Sequence, residues 1–253
     1  RLKLKYKIEW FKETGEKKQI QFSIMKDNVV LMLDTSGEGL HKRGYRANSN
    51  AAPLRETLAA AIVSISRFRN GETLLDPFCG SGTIGIEAAL YATRTAPNLN
   101  RSFLAETWSM IDKKIWVEER SRAIENIKDT DSKIICSDIE PNAVSLTFSN
   151  AKKAGVSKLI NAEVKDVRNL TQSFEKGLII CNPPYGERLM EMKEAEKLYS
   201  EMGRVFKQFQ NTRYYILTSH ENFENQFGKK ADKNRKLYNG MIKCYLFQYF
   251  KTI

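Results

Sequence analysis

The alternation of apolar segments after residue 46 constrains the fold more than any other feature of this chain. Short apolar runs such as TLLD, KIIC and GLII alternate with longer stretches in which apolar residues recur every three or four positions. Short runs of this kind are typical of buried strands, and the longer stretches are typical of amphipathic helices. Because strands separated by helices join a sheet in parallel, the pattern predicts an α/β fold with helices on both faces of a mostly parallel sheet.

The same pattern predicts the individual elements of this part of the chain. The predicted strands cover residues 73–78, 133–138, 160–164, 177–182, 213–219, 236–243 and 244–250. The predicted helices cover residues 52–68, 81–94, 113–127, 140–155 and 194–209, with the third inside a polar and aromatic insertion at 96–130. Few residues join the last two strands, so this pair is predicted to be antiparallel and to close a seven-stranded sheet.

Residues 1–34 have a different pattern, in which apolar and charged residues alternate. This period of two predicts strands at 3–11, 19–25 and 29–34, with the first two joined as a hairpin around Thr14-Gly15-Glu16. We interpret 1–34 as a small β fragment, 35–46 as a polar, glycine-rich connector and 47–253 as the main domain. The first residue is Arg1 rather than Met, so we expect a chain trimmed from a longer protein.

The positive charge is concentrated at the two ends of the chain. The formal net charge is +11, and residues 1–50 hold 11 Lys and Arg against 6 Asp and Glu, while residues 228–253 hold 7 against 1. A basic surface is the electrostatic footprint of a nucleic-acid partner, although surplus lysine also increases solubility. The residues predicted to contact a nucleic acid are Lys42, Arg43, Arg46, Arg188, Lys229, Lys230, Lys233, Arg235 and Lys236.

Composition argues against several other classes of protein. The 4 cysteines are far apart and form no CxxC pair, and the chain has 2 histidines, so we expect reduced thiols, no disulfide framework and no metal site. No apolar stretch approaches the roughly 20 residues that a membrane span needs. We therefore expect a cytoplasmic monomer that does not bind a membrane.

The first strand of the main domain leads into a glycine-rich loop, DPFCGSG, directly before a helix. Glycines at such a junction let the backbone approach a ligand closely, and the helix N-terminus offers free N–H groups. The Asp76 carboxylate would repel a phosphate and favours a cationic ligand, such as the sulfonium and amino group of S-adenosylmethionine. Taken alone, the loop is also compatible with a tight turn. The predicted cofactor-binding residues here are Asp76, Pro77, Phe78, Cys79, Gly80, Ser81 and Gly82.

Two further strands end in acidic residues. Asp138 is predicted to accept hydrogen bonds from two ribose hydroxyls, with Ile139 against the adenine and Glu140 as the alternative acceptor. Asp166, which precedes Val167 at the same site, is predicted to accept from the adenine amino group. Each acid alone is also explained as a helix cap or a surface turn. Because ligands of open α/β sheets bind at the carboxyl ends of the strands, the acidic ends are predicted to converge on one crevice.

The strand GLII ends in Asn182-Pro183-Pro184-Tyr185. The simplest interpretation is a turn, since Asn and Pro terminate strands. Beside three acidic strand ends, the motif instead favours chemistry on a planar amine. The Asn182 side-chain oxygen and the Pro183 carbonyl would accept the hydrogens of the amine and turn its lone pair toward a methyl donor. Tyr185 can stack on the base, and no general base is needed before transfer because the proton leaves afterwards.

These residues resemble the amino-methyltransferases of the Rossmann-like class I fold. More closely, GYRANSNAAPLRETLAAAIV, LLDPFCGSGTIGIEAA, VKDV, NPPYGERL and KLYNGMIKC together resemble the RlmL-type rRNA guanine-N2 methyltransferases. The resemblance implies S-adenosyl-L-methionine as the donor, guanine N2 in 23S rRNA as the acceptor, and an N-terminal THUMP RNA-binding domain whose last strands lie in 1–34. It also implies catalytic roles for the motif residues and cofactor contacts for a further set. The catalytic residues are then Asn182, Pro183, Pro184 and Tyr185, and the further cofactor contacts are Glu56, Thr57, Val167 and Asn182.

Other functions remain open on the same residues. Asn-Pro-Pro-Tyr also suits N6-methylation of adenine and N5-methylation of a protein glutamine, because each target is a planar amine or amide. The basic ends of the chain favour RNA over a protein substrate. A non-catalytic RNA-binding module is the alternative from a different class, and the combination of the glycine-rich loop with Asn-Pro-Pro-Tyr argues against it.

Overall fold

The computed structural model describes residues 1–10, 12–46, 54–171, 176–185, 192–209 and 211–250. The chain divides into two compact units. Unit 1 comprises Arg1–Leu40 and Asn100–Arg122, and unit 2 comprises His41–Leu99 and Ala123–Ile253. Among the described residues, no helix is long and apolar enough to cross a membrane.

Unit 1 contains a two-stranded antiparallel hairpin. Strand β1 (Gln19–Met25) pairs with β2 (Asn28–Asp34) along its whole length. The two turn residues, Lys26 and Asp27, both have positive φ angles of 48° and 60°, as a tight hairpin turn of the I′ type requires. The predicted hairpin between residues 3–11 and 19–25 is therefore wrong, because the second and third predicted strands pair instead.

The predicted first strand is also wrong in its local structure. Residues Leu2–Tyr6 form a short helix, α1, whose last turn ends at Lys7 in the left-handed conformation with φ 53°. Alternating apolar residues specify a strand only where a partner strand covers one face. The side chains of α1 are exposed, so no such burial selects the extended form.

The part of the insertion at 100–122 belongs to unit 1, whereas the sequence placed it in the main domain. Its backbone is tied to the segment that follows β2: Leu104 N donates to Ser36 O (3.2 Å) and Ala105 N donates to Thr35 O (3.0 Å). The Arg101 guanidinium donates to three carbonyls of the same segment, those of Ser36, Glu38 and Gly39. Unit 1 also holds a 3₁₀ turn at Leu104–Thr107 and most of helix α4 (Lys113–Glu125).

Unit 2 has alternating strands and helices. The strands are β3 (Thr73–Asp76), β4 (Lys133–Asp138), β5 (Ile160–Val164), β6 (Gly177–Cys181), β7 (Thr212–Thr218), β8 (Lys233–Asn239) and β9 (Ile242–Tyr249). The helices are α2 (Glu56–Ile65), α3 (Thr83–Ala92), α5 (Pro141–Lys153), α6 (Met192–Phe206) and α7 (Phe223–Phe227), with 3₁₀ turns at Ser157–Leu159 and Val167–Asn169.

The seven strands form one sheet in the order β5-β4-β3-β6-β7-β9-β8. The first five are mutually parallel, and β9 is antiparallel to both β7 and β8. One apolar core packs α2, α3 and α5 against one face of the sheet, and a second packs α6 and α7 against the other. The predicted α/β fold, Rossmann-like with a mostly parallel seven-stranded sheet and an antiparallel closing strand, is confirmed.

The closing hairpin differs from its prediction in one respect. The turn lies at Gly240-Met241, inside the predicted strand 236–243, because Asn239 pairs with Ile242. Gly240 has a φ of 67°, which glycine adopts without strain, so Gly240 and Met241 are the two central residues of a tight hairpin turn.

Candidate active site

The predicted cofactor residues lie at the carboxyl ends of neighbouring parallel strands. β4, β3 and β6 are adjacent in the sheet, and Asp138, Asp76 and Cys181 are the last residues of these strands. Asp166 caps the 3₁₀ turn just after β5, the next strand outward. The sheet therefore brings the three acids and the motif that begins at Asn182 to one edge of unit 2.

The glycine-rich loop is bonded to the two acidic strand ends. Gly80 N donates to Asp138 Oδ2 (2.9 Å), Phe78 N donates to Asp76 Oδ1 (3.2 Å), and Cys79 N donates to the carbonyl of Ser137 (3.0 Å). Gly80 has a φ of 53°, and a Cβ at this position would meet no atom within 4 Å. The loop backbone therefore borders open space where a ligand can approach it closely.

Helix α5 holds the loop from the other side through two polar residues that the sequence prediction missed. Thr147 Oγ1 donates to Gly80 O (3.1 Å), and Asn150 Nδ2 donates to Ser81 O (2.9 Å). Both residues are buried, and a Cβ on Gly82 would lie 2.8 Å from Thr147 Cγ2. The available signal was their spacing of three within a helix, which places two polar side chains on the face that otherwise packs in the core.

Asp76 is a buried carboxyl, and no cation among the described residues contributes to its electrostatics. It is 1% exposed, and burial raises its pKa to about 8, with the nearby Asp138 charge adding to the rise and the hydrogen bond from Phe78 N opposing it. A cationic group placed against this carboxyl would reverse the effect, because an opposite charge favours the ionised form. The site thus fits the cationic end of S-adenosylmethionine.

Asp138, the predicted ribose ligand, ends β4 beside the glycine-rich loop. Its Oδ2 accepts from Gly80 N and its Oδ1 accepts from Glu140 N (3.0 Å), and these two hydrogen bonds orient the carboxylate. Each oxygen retains a lone pair that can accept a further hydrogen bond. Ile139, the residue predicted to lie against the adenine, is large and apolar and is 55% exposed, so its side chain is accessible to a planar base. Glu140 is exposed.

Replacing Asp138 by alanine should weaken binding of S-adenosylmethionine by on the order of 1.5–3 kcal/mol, since a charged acceptor of two hydroxyls is lost. Turnover at saturating cofactor should change less. Titration calorimetry gives the affinity, and Glu140→Ala is the matched control, expected to bind nearly as the unchanged protein does. Unchanged affinity in Asp138→Ala together with a loss in Glu140→Ala would transfer the ribose role to Glu140.

The Asp166 carboxylate is already bound. The Arg168 guanidinium donates to both of its oxygens, with Nε at 2.9 Å and 2.8 Å, and lowers the pKa of Asp166. An adenine amino group would therefore have to share these oxygens with Arg168. Val167 is buried beside it in the second core.

Glu56 and Thr57 begin helix α2 but differ in environment. Glu56 is buried and pairs with Arg46, whose Nη2 lies 3.3 Å from Glu56 Oε1 and also donates to Leu54 O and Thr83 Oγ1. Thr83 is the first residue of α3, directly after the glycine-rich loop. Thr57 is exposed. The Arg46 side chain thus fixes the start of α2 to the loop.

The Asn-Pro-Pro-Tyr motif leaves the sheet at the end of the fully buried strand β6. Pro183 is buried, whereas Asn182, Pro184 and Tyr185 are partly exposed. Within the described part of the chain, the Asn182 side chain has no hydrogen-bond partner, so its amide oxygen remains available to a ligand.

A residue that the sequence prediction missed fixes the backbone of the motif. The Tyr199 hydroxyl, from helix α6, donates to Pro184 O (2.8 Å) and lies 3.1 Å from Thr218 Oγ1 at the end of β7. Tyr199 is fully buried, and its ring packs edge-on against His220 and Phe223. Because two consecutive prolines have no backbone N–H, this carbonyl is one of the few backbone groups through which a hydrogen bond can hold the motif in place.

Replacing Tyr199 by phenylalanine should lower kcat about 5- to 20-fold and leave cofactor affinity unchanged, because the motif loses an anchor and the cofactor residues do not. The lost hydrogen bond should also cost about 1–2 kcal/mol of unfolding free energy. Tyr214→Phe is the matched control: its hydroxyl donates to Phe206 O (2.6 Å) and Phe209 O (3.0 Å) in the same core, away from the motif. Equal loss of kcat in both variants would show a purely structural role for Tyr199.

Two of the predicted RNA contacts are engaged inside unit 2. The Arg43 side chain is 8% exposed and pairs with the buried Glu87 (3.0 Å), which also accepts from the Tyr45 hydroxyl (2.9 Å). Burial raises the pKa of Glu87 to about 7, and Arg43 opposes that rise. The Arg46 side chain is 10% exposed and paired as described above. The prediction of phosphate contacts at Arg43 and Arg46 is therefore not supported, because both guanidinium groups neutralise buried acids.

The other basic candidates are on the surface. Five of them are exposed: Lys42, Lys230, Lys233, Arg235 and Lys236. Lys229 is partly exposed, and Arg188 lies outside the described residues.

A cavity of about 610 Å³ is lined by Arg43, Glu87 and residues of α2, α3 and the loops that follow them. None of the predicted cofactor or catalytic residues lines this cavity. In the described part of the chain, no group of three or more potential metal ligands is placed to hold an ion.

Comparison with known proteins agrees with this geometry. Residues 43–248 match the family described as UPF0020, RMKL-like, methyltransferase domain. The chain is 44% identical over 246 residues to the putative RNA methyltransferase YpsC of Bacillus subtilis, and 42% identical over 223 residues to the ribosomal RNA large subunit methyltransferase K/L of Shewanella baltica. The two alignments include 97% and 85% of this chain, but only 64% and 32% of the length of the two relatives.

Three solved structures are similar over nearly the whole chain. A possible methylase from Clostridium difficile has a TM-score of 0.92 and 46% identity, with 98% of this chain and 66% of that chain covered. SMU.472, a putative methyltransferase complexed with SAH, has a TM-score of 0.92 and 36% identity, with 100% and 67% covered. A predicted N6-adenine-specific DNA methylase from Listeria monocytogenes has a TM-score of 0.88 and 41% identity, with 98% and 65% covered. These findings confirm the predicted resemblance and the predicted cofactor, S-adenosyl-L-methionine.

Proposed function

The chain belongs to the UPF0020 family of RMKL-like methyltransferase domains, and we propose that it transfers the methyl group of S-adenosylmethionine to the exocyclic N2 amine of a guanine in 23S rRNA. One observation carries the proposal: the Asn182-to-Tyr185 motif and the acids Asp76 and Asp138 end adjacent parallel strands. An amine held by the motif would lie beside a cofactor held by the acids.

The residues of the chain orient the reacting groups. Bound S-adenosylmethionine supplies an electrophilic methyl group on a sulfonium. The Asn182 oxygen and the Pro183 carbonyl accept the two hydrogens of the amine, which turns the nitrogen lone pair out of conjugation with the ring and toward the donor. The Tyr199 hydroxyl, bonded to Pro184 O, keeps that stretch of backbone in place. Tyr185 stacks on the base.

The choice of RNA as the substrate is supported by charge and by relatives. Residues 228–253 carry 7 Lys and Arg against 1 Asp and Glu, and the exposed cations of this segment are available to phosphates. The Shewanella protein, 42% identical, is named a ribosomal RNA large subunit methyltransferase. We also assign residues 1–34 to a THUMP-like RNA-binding domain. The remainder of the chain after the connector, apart from the unit 1 segment Asn100–Arg122, is assigned to the methyltransferase.

A second candidate is N6-methylation of adenine. The Listeria protein, 41% identical, is described as a predicted N6-adenine-specific DNA methylase, and an adenine amine presents the same two hydrogens to Asn182 and Pro183. The basic surface serves DNA as well as RNA, so the identity of the methylated base distinguishes the two candidates.

The decisive experiment incubates the protein and methyl-labelled S-adenosylmethionine with large-subunit rRNA that carries no modifications. Digestion to nucleosides and mass spectrometry then identify the product. N2-methylguanosine supports the proposal, N6-methyladenosine supports the second candidate, and transfer to neither base contradicts both. Asn182→Ala serves as the background control.

A further inference from the structure

The β8–β9 hairpin extends past the ends of the strands beside it. Tyr245 of β9 pairs with Thr218, the last residue of β7, and with Lys236 of β8. Pairing of β8 with β9 continues beyond this level to Asn239 and Ile242. Because β8 runs parallel to β6 and β7, the projecting end lies at the edge of the sheet where the Asn182-to-Tyr185 motif begins.

The tip of this hairpin is anchored and not a loose loop. Asn239 is 8% exposed, and its Oδ1 accepts from Arg55 N (3.2 Å) at the start of helix α2. A Cβ at Gly240 would lie 3.5 Å from the Arg55 guanidinium. Glu56, the next residue of α2, is joined through Arg46 to Thr83, at the glycine-rich loop. The turn is thus fixed close to the cofactor residues.

Met241 at this fixed tip is 99% exposed, more than any other large apolar residue in the described ranges. Turn geometry does not require it, since Gly240 supplies the positive φ and position 241 tolerates polar residues. A single exposed apolar residue is ordinary on a protein surface. Met241 differs in its place, because it stands on an anchored turn at the motif edge of the sheet, in the same hairpin end as the exposed ring of Tyr238.

The surroundings of Met241 suit a nucleic acid. Tyr238 is 55% exposed and pairs with Lys243 across the hairpin, and the Lys236 ammonium lies 5.6 Å from the Tyr238 ring. Lys243 itself pairs with Glu221 (2.6 Å) and lies over Tyr245. Cations beside an exposed aromatic ring are the combination that binds phosphates and stacks on bases.

We infer that Met241 is a wedge that enters the base stack of the RNA and fills the space left when the target guanine turns out into the crevice. The inference rests on the proposed function. A base inside folded RNA must leave its stack to reach Asn182, and apolar side chains such as Met separate stacked bases in other nucleic-acid complexes. Tyr238 and Lys236 then hold the strand next to the vacated position.

The test compares two RNAs with the target guanine mapped by the rRNA experiment: a folded rRNA fragment with that guanine in a stem, and a short unpaired oligonucleotide of the same local sequence. In Met241→Ser, kcat/KM should fall at least about tenfold on the folded fragment and less than about twofold on the unpaired one. Met241→Leu should retain most activity on both. Tyr91→Ser, at an exposed residue near the far end of α3, is the control and should change neither.

A fluorescent readout follows the base directly. With 2-aminopurine in place of the target guanine in the folded fragment, the unchanged protein and S-adenosylhomocysteine should raise the fluorescence, and Met241→Ser should raise it far less. Equal losses on both RNAs, or no loss on the folded one, would overturn the wedge while leaving the methyltransferase activity intact. If the unchanged protein methylates neither RNA, the proposed function fails and the wedge fails with it.

Discussion

Asn182→Ala is expected to lower turnover at least about a hundredfold while cofactor affinity stays within a few-fold, the signature of a contact that orients the reacting amine. Asn182 has no hydrogen-bond partner among the described residues and is only partly buried, so its truncation should also leave thermal stability nearly unchanged. Single-turnover kinetics at saturating S-adenosylmethionine measure the transfer step, and calorimetry measures the affinity.

Two further variants sharpen this experiment. Asn182→Asp retains an acceptor oxygen and should keep more activity than the alanine variant, because hydrogen-bond acceptance toward the amine is the proposed role. Asn161→Ala removes an exposed asparagine from the edge strand β5 and should have no effect. Near-normal transfer by Asn182→Ala would contradict amine methylation at this motif.

The parts of the site that the sequence predicted are those whose chemistry is local. Asp76 and Asp138 end apolar runs, and the motif at Asn182 ends another, so strand ends and functional groups are found together. Parallel strands then bring them to one edge by topology alone. This is why the fold class, and the placement of these strand ends at one edge of the sheet, followed from the sequence without any knowledge of side-chain contacts.

The residues that the prediction missed act over long sequence separations. Thr147, on helix α5, donates a hydrogen bond to Gly80 O, which is 67 positions away in the sequence. Tyr199, on helix α6, donates a hydrogen bond to Pro184 O. A helical pattern shows which side chains face the core but not which backbone group they meet there. Such contacts become visible only when the packing is known.

The misinterpreted basic residues have a related cause. Arg43 and Arg46 have the same sequence appearance as surface cations, yet each is paired with a glutamate buried at or within an apolar helix, Glu87 or Glu56. A carboxylate among apolar residues, as in GIEAAL, was the signal that an arginine elsewhere must neutralise it.

The second large effect on cofactor binding is expected at Asp76, because the ionisation of its carboxyl should differ between the cofactor-free and the cofactor-bound protein. Burial raises its pKa from 3.8 to about 8, so at neutral pH the folded, cofactor-free protein holds this carboxyl mainly protonated, whereas the unfolded chain ionises it. The folded state therefore binds the extra proton between about pH 4 and pH 8, and the Asp76 contribution to the free energy of unfolding falls as pH rises through that window. A bound cation should reverse the shift and release the proton.

Asp76→Asn is expected to weaken cofactor binding at least about a hundredfold, since the cationic end of S-adenosylmethionine loses its buried counter-charge. The same variant should unfold at an equal or higher temperature at pH 8, because an amide replaces a carboxyl that is costly to ionise there and its oxygen can still accept from Phe78 N. In the unchanged protein, the association constant should rise by up to about tenfold per pH unit between roughly pH 6 and pH 8, with proton release detectable by calorimetry in buffers of different ionisation enthalpy.

Glu87→Gln separates the electrostatic role of Asp76 from the general effect of removing a buried acid. Glu87 is also buried with a raised pKa, but it lies on helix α3, pairs with Arg43 and is not one of the acidic strand ends. Its replacement should destabilise the fold, because Arg43 loses its partner, and should leave cofactor affinity unchanged. The two variants thus have opposite expected profiles: one retains stability and loses the cofactor, and the other loses stability and retains it. If Asp76→Asn bound the cofactor normally, or if affinity in the unchanged protein did not vary between pH 6 and pH 8, the buried carboxyl could not be the counter-charge of the cofactor.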